Sequence, residues 1–211
     1  MGFDLYISLF DLAQYRERVE PALQNYFASG EANDILRLLE EVRQRSGEAS
    51  DLIQSSISIL NGSEFYGPSF NHIPPAPGAR TNRQDLDYYV RFTVVGQLVE
   101  GLCTVKIDGR SAEQNMGRSA LVPYLYEHSS WIENLFTGEI YNAGTSLNFP
   151  PAEYAEIIAS DTVKTLLSEL NAIPQPDSKL MPAVAKQFSN LKQILEMASR
   201  DSGRVALVTG G

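Results

Sequence analysis

With one cysteine, two histidines and no long apolar run, this 211-residue sequence has few ways to do chemistry. Cys103 alone permits neither an intrachain disulfide nor a cysteine-built metal site, and a reducing cytoplasm is the expected compartment. His72 and His128 form no H-x-x-x-H or H-E-x-x-H spacing, so no metal site is expected. Neither G-x-G-x-x-G nor G-x-x-x-x-G-K occurs, and there is no G-x-S-x-G elbow. No cofactor is expected on those grounds. The most apolar stretch, residues 92–102, is interrupted by Gln97, Glu100 and Gly101. It falls short of the ~18–20 residues that a membrane helix needs, so no membrane association is expected. The opening Met1-Gly2-Phe3-Asp4 lacks a basic segment, which argues against a secretory signal, and Tyr6 stands where a myristoylation pattern wants Ser or Thr.

Basic charge is also scarce. Seventeen Lys and Arg face 26 Asp and Glu, for a formal net charge of -9. Acids outnumber bases 10 to 5 over residues 1–60, 7 to 6 over 61–130 and 9 to 6 over 131–211. The bases are scattered and form no stripe of the kind that neutralises phosphates, so no nucleic-acid partner is expected. With 43% hydrophobic residues, the chain has the means to bury roughly 70% of its extended surface in one core. A single globular domain over residues 1–211 is expected, of a bacterial type.

Phe3, Leu5, Ile7 and Leu9 alternate with less apolar residues and predict an opening strand. Leu12, Tyr15, Val19 and Leu23 then recur at helical spacing, with a kink or break at Pro21. Ile35, Leu38, Leu39 and Val42 mark the next helix, which ends on Arg43 and Arg45, suited to the negative end of its dipole. Ala49, Leu52, Ile53, Ile57 and Leu60 suggest a third helix, although Ile57-Ser58-Ile59 also alternates. Residues 61–83 are rich in turn signals and proline and predict a long loop, whose Phe65, Tyr66, Phe70 and Ile73 give it apolar surface to pack.

Residues 86–105 carry only Asp87, Arg91 and Glu100 as charges before Val105, and predict a buried central helix with Phe92, Val95 and Val99 on a second buried face. A strand over 89–95 competes, because that stretch is β-branched and aromatic. Asp108-Gly109 predicts a turn. Ser111 with Gln114, and Ser130 with Glu133, read as capping boxes of short helices. Pro151 suits the first turn of a helix carrying Tyr154, Ile157, Ile158, Val163, Leu166, Leu167 and Leu170. Met181, Val184, Phe188, Leu191, Leu195 and Ala198 predict the last helix, and residues 205–209 a closing strand.

The expected fold is therefore α+β and predominantly helical. Helices pack around a buried central helix, and a small sheet contains the N- and C-terminal strands. This plan loosely resembles small bacterial YfbM-type domains of unknown function at its two ends alone. The opening Met1-Gly2-Phe3-Asp4 departs from that group, so no family is identified from the resemblance.

With two imidazoles in the chain, acid–base work has two centres, His72 and His128, with Glu64 or Glu127 as carboxylates to orient them. The plainer role for each is a surface or packed histidine bonded to backbone. Tyr66, Phe70, Arg80 and Arg83 in or beside the long loop, with Tyr124 and Trp131, are candidate binding residues, because such side chains combine rigid area with a polar tip. Their plainer role is core and solvated surface. Two functions stay open. One is a non-enzymatic protein-interaction module, acidic and immunity- or antitoxin-like, steered to a basic partner by residues such as Glu40, Glu41, Glu48 and Asp51. The other is a small-molecule-binding protein or enzyme with a pocket under the 62–83 loop and His72 or His128 as acid or base.

Overall fold

The computed structural model describes residues 5–45, 51–62, 83–117, 119–129, 145–152, 154–201 and 203–210. They group into two compact units: a helical unit, Gln14–Cys103, and a sheet unit made of Met1–Ala13 with Thr104–Gly211.

The helical unit is entered through α1 (Leu12–Gln14), the π-helical turn Tyr15–Val19 and α2 (Glu20–Ser29). Pro21 does not break this run. The Glu20 N–H reaches back five residues to the Tyr15 carbonyl, and the widened turn leaves Pro21 in the first turn of α2, where a missing N–H costs least. Gly30 closes α2 at φ +88°, with its N–H on the Tyr26 carbonyl. Helix α3 (Asn33–Arg45) buries Ile35, Leu38, Leu39 and Val42, the stripe its spacing predicts, and packs on α2 and on α4 (Asp51–Leu60). The Ile57-Ser58-Ile59 alternation is thus helical.

Residues 83–103 are helical throughout, which removes the competing strand. They pass through α5 (Arg83–Tyr89), a π turn at Val90–Val94, α6 (Val95–Leu98) and a second π turn at Val99–Cys103. Val90, Val94, Val95, Leu98, Val99, Leu102 and Cys103 are buried. Phe92 corrects the expected second face: it is 50% exposed and stacks on Tyr88 instead. A π turn holds more residues than an α turn and so rotates the succeeding side chains about the axis, which a strict 3.6 period does not capture.

One glycine sets a packing distance here. A Cβ at Gly101 would lie 2.3 Å from Val42 Cγ1, so the π turn sits against α3 more closely than any side chain permits. Gly101→Ala is expected to cost about 1–3 kcal/mol through overpacking, and less than half of that in a Val42→Ala background. Urea midpoints of the four-member cycle check this, and additive costs would contradict the contact.

In the sheet unit, β1 (Leu5–Asp11) and β7 (Arg204–Gly210) pair antiparallel with Ile7 opposite Val208 and Phe10 opposite Val205. The small sheet therefore contains the N- and C-terminal strands. Its order is β4-β1-β7-β6-β5, with β4 at Glu113–Asn115, β5 at Thr145–Ser146 and β6 at Tyr154–Ile157. Leu5, Ile7, Leu9, Ala206 and Val208 form one face. Over them lie Phe188, Leu191, Ile194 and Leu195 of α9 (Pro182–Arg200), with α7 (Leu121–His128) and α8 (Ser160–Ala172) completing the layer.

A small hairpin, β2 (Lys106–Ile107) and β3 (Arg110–Ser111), turns at Asp108-Gly109, whose φ values of 50° and 76° give the two positive dihedrals of a type I′ turn. Two expectations are corrected in this unit. Ser111 and Gln114 do not cap a helix; they belong to β3 and β4, where Gln114 is buried beside Ile7. Tyr154 and Ile157 belong to β6, and the helix begins only at Ser160, where Ser160-Asp161-Thr162 supplies the polar first turn. The expected helix around Trp131 and the 63–82 part of the long loop lie outside the described residues.

Candidate functional site

His72, Glu64, Tyr66, Phe70, Arg80 and Trp131 lie outside the described residues. His128, Glu127, Tyr124 and Arg83 can be placed.

In the sheet unit, α7 stacks the His128 ring on Tyr124 at 4.4 Å, one turn apart. His128 Nδ1 is 2.9 Å from the Tyr124 carbonyl oxygen, which can only accept, so Nδ1 carries the proton. The Tyr124 hydroxyl donates to the Pro174 carbonyl at 2.6 Å, and its ring meets Phe188 edge-on. Through Tyr124 these contacts tie the end of α7 to Pro174 and Phe188. Glu127 is exposed on the same helix.

In the helical unit, Arg83 braces the end of α2. Its Nε donates to Asp87 at 2.6 Å, one guanidinium nitrogen donates to the Tyr26 carbonyl at 2.7 Å, and the group lies 4.7 Å over the Tyr26 ring. Burial pushes the Tyr26 phenol well above its ordinary pKa, so the ring meets the guanidinium as a neutral π face. The guanidinium also occupies the space a Cβ at Gly30 would need.

Ion pairs in this unit involve most of its described arginines. Arg18 and Arg45 both grip Glu41, Arg43 holds Glu40 and Arg37 holds Asp34. Glu40 and Glu41, expected as free steering charges, are therefore engaged. Glu17, Glu31, Asp51 and Glu100 are exposed and in no ion pair among the described residues. Arg16 and Arg91 are the exposed arginines of this unit in the same position, Arg91 with its guanidinium over the Phe27 ring.

The Arg18 hydrogen bond holds the Glu41 carboxyl below its ordinary pKa. A carboxylate depressed in the folded state stabilises the fold above its unfolded pKa, and the benefit is lost as pH falls through the folded value. Glu41→Gln is therefore expected to flatten the acid side of the stability profile below about pH 4.5. Urea midpoints at several pH values check this, and parallel profiles would contradict it.

A second feature escaped the hydrophobic pattern. An open groove of about 750 Å³ in the sheet unit lies between the β2–β3 hairpin, β4 and one face of α9. Lys186, Gln187, Asn190 and Gln193 line it from α9, and Asp108, Arg110, Glu113 and Gln114 from the strands. Asn190 Nδ2 donates to the Glu113 carbonyl at 2.7 Å, and Gln114 Nε2 to the Asn115 carbonyl at 2.8 Å. With Leu9 N–H on the Ala112 carbonyl and Met116 N–H on the Leu5 carbonyl, Glu113 and Asn115 are the β4 residues whose carbonyls face away from β1. The amides thus satisfy the outer edge of the sheet. The signal in the sequence is an amide stripe, Gln187, Asn190 and Gln193, where a solvated helix face usually carries charges.

Among the described residues, no group of three or more His, Cys, Asp or Glu is placed to hold a metal, and no helix is long and apolar enough to cross a membrane. Comparisons with family models, with curated proteins and with solved structures find no match for this chain.

Proposed function

We propose that the chain is a non-enzymatic protein-interaction module of the cytoplasm, an acidic protein of the immunity or antitoxin kind that binds a basic partner. The observation that carries this is electrostatic. In the helical unit, ion pairs take up Arg18, Arg37, Arg43, Arg45 and Arg83, while Glu17, Glu31, Asp51 and Glu100 stand exposed outside those pairs. Arg16 and Arg91, the exposed arginines outside those pairs, are two against these four, and the unit presents an acidic field that steers a cationic surface toward it. Tyr88 and Phe92, 43% and 50% exposed and 4.4 Å apart, supply a rigid aromatic step of the kind that anchors interfaces.

The test begins with recovery and identification of the protein retained by the immobilised full chain from source cells. Association is then measured for the wild type and for a Glu17→Lys, Glu31→Lys, Asp51→Lys variant. The variant is expected to associate roughly tenfold more slowly at low salt, with the difference shrinking as the Debye length falls from ~10 Å at 0.1 M to ~3 Å at 1 M. An association rate unchanged by charge reversal, or retention of no basic protein, would remove this function.

A further inference from the structure

The groove against α9 differs chemically from the acidic helical unit, and its amides have fixed orientations. Gln187 Oε1 accepts the Leu121 N–H at 3.1 Å and the Ser119 hydroxyl at 2.9 Å. A backbone N–H can only donate, so the amide cannot be flipped and Nε2 is left without a partner among the described residues. Asn190 is fixed in the opposite sense. Its Nδ2 donates to the Glu113 carbonyl at 2.7 Å and to Gln114 Oε1 at 3.3 Å, which leaves Oδ1 to accept.

Residues three apart on a helix are surface neighbours. The groove therefore contains a held donor beside a held acceptor. An extended peptide residue turns its own N–H and C=O to the same side, which matches this pair in polarity. Arg110 and Lys186 stand on the rim with no ion-pair partner among the described residues. Asp108 and Glu113 balance them in number. A polyanion thus gains nothing net here, whereas a single carboxylate has two unpaired cations with which it can pair.

We propose that this groove binds an extended peptide segment bearing an acidic side chain, with Gln187 Nε2 donating to a peptide carbonyl, Asn190 Oδ1 accepting the peptide N–H, and Lys186 or Arg110 pairing with the carboxylate. The site is independent of the acidic surface of the helical unit and of the function proposed for it.

The probe is acetyl-Ala-Glu-Ala-amide, titrated into the ¹⁵N-labelled full chain to ~10 mM, a range that reaches affinities of about 1 mM. Acetyl-Ala-Lys-Ala-amide and glutarate serve as controls. Saturable shifts of the Gln187 and Asn190 side-chain amide signals are expected with the Glu peptide alone. Gln187→Glu keeps the acceptor for Leu121 while exchanging the free donor for a negatively charged oxygen. That variant should stay folded by its spectrum and bind at least fivefold more weakly, as should Lys186→Glu. The absence of saturable shifts, equal shifts with the Lys peptide or with glutarate, or full binding by a folded Gln187→Glu would each overturn the proposal.

Discussion

Deletion of residues 204–211 is expected to abolish the fold of the sheet unit rather than fray its edge. Those residues contain β7, the middle strand, bonded to β1 on one side and β6 on the other. Removing it takes Ala206, Leu207 and Val208 out of the buried interior and exposes two strand edges at once, each a row of unpaired backbone groups. What remains is a two-stranded ribbon of β1 with β4 and another of β6 with β5, and isolated pairs are marginal in water. Loss of near-ultraviolet dichroism together with loss of sheet-unit amide dispersion is the expected result. A truncated chain that melts at the full-length temperature would show that β7 is dispensable.

The second large effect is expected at Leu98, which has no exposed surface on α6. Leu98→Ala should cost about 2–5 kcal/mol, the transfer of the lost methyl groups plus the cavity that close packing cannot refill. Phe92→Ala, six residues earlier on the same helical run, should cost about 0.5 kcal/mol or little more, because half of that ring already meets water. Hydropathy ranks the two alike. Denaturant midpoints separate them, and equal costs would contradict the burial assigned to Leu98.

The residues that announce their elements do so because a single period governs them. Leu5, Ile7 and Leu9 alternate because one face of β1 meets α9, and Ile35, Leu38, Leu39 and Val42 recur because α3 has one buried stripe. Where two periods abut, the pattern misleads. Tyr154, Ile157 and Ile158 recur at the i, i+3, i+4 spacing of a helix, so β6 reads as the first turns of α8. The Ser160-Asp161-Thr162 start signal outweighs Pro151 only once the β6 pairing with β7 is known. Gln114 is disguised in the same way. Its spacing from Ser111 mimics a cap, while its side-chain amide bonds the Asn115 carbonyl and the Ser119 hydroxyl. Of the candidate residues, Tyr124 and Arg83 make backbone contacts with Pro174 and Tyr26 that composition alone does not specify. The groove's signal, the amide stripe of Gln187, Asn190 and Gln193, is faint because neutral amides leave little trace in charge or hydropathy.

The connectivity of the two units has a consequence for synthesis. The helical unit is one continuous stretch, Gln14–Cys103, inserted between β1 and the rest of the sheet unit. All its partners leave the ribosome together, and its contacts are mostly near in sequence, the condition for rapid folding. Strand β1 emerges before that stretch, yet Leu5 pairs with Gly210. At ~5–20 residues per second, it waits roughly 10–40 s for its central neighbour. During that interval Leu5, Ile7, Leu9 and Phe10 form an apolar strand without its partner, the kind of segment that chaperones cover and that strays into wrong pairings. The helical unit completes early, and the sheet closes last.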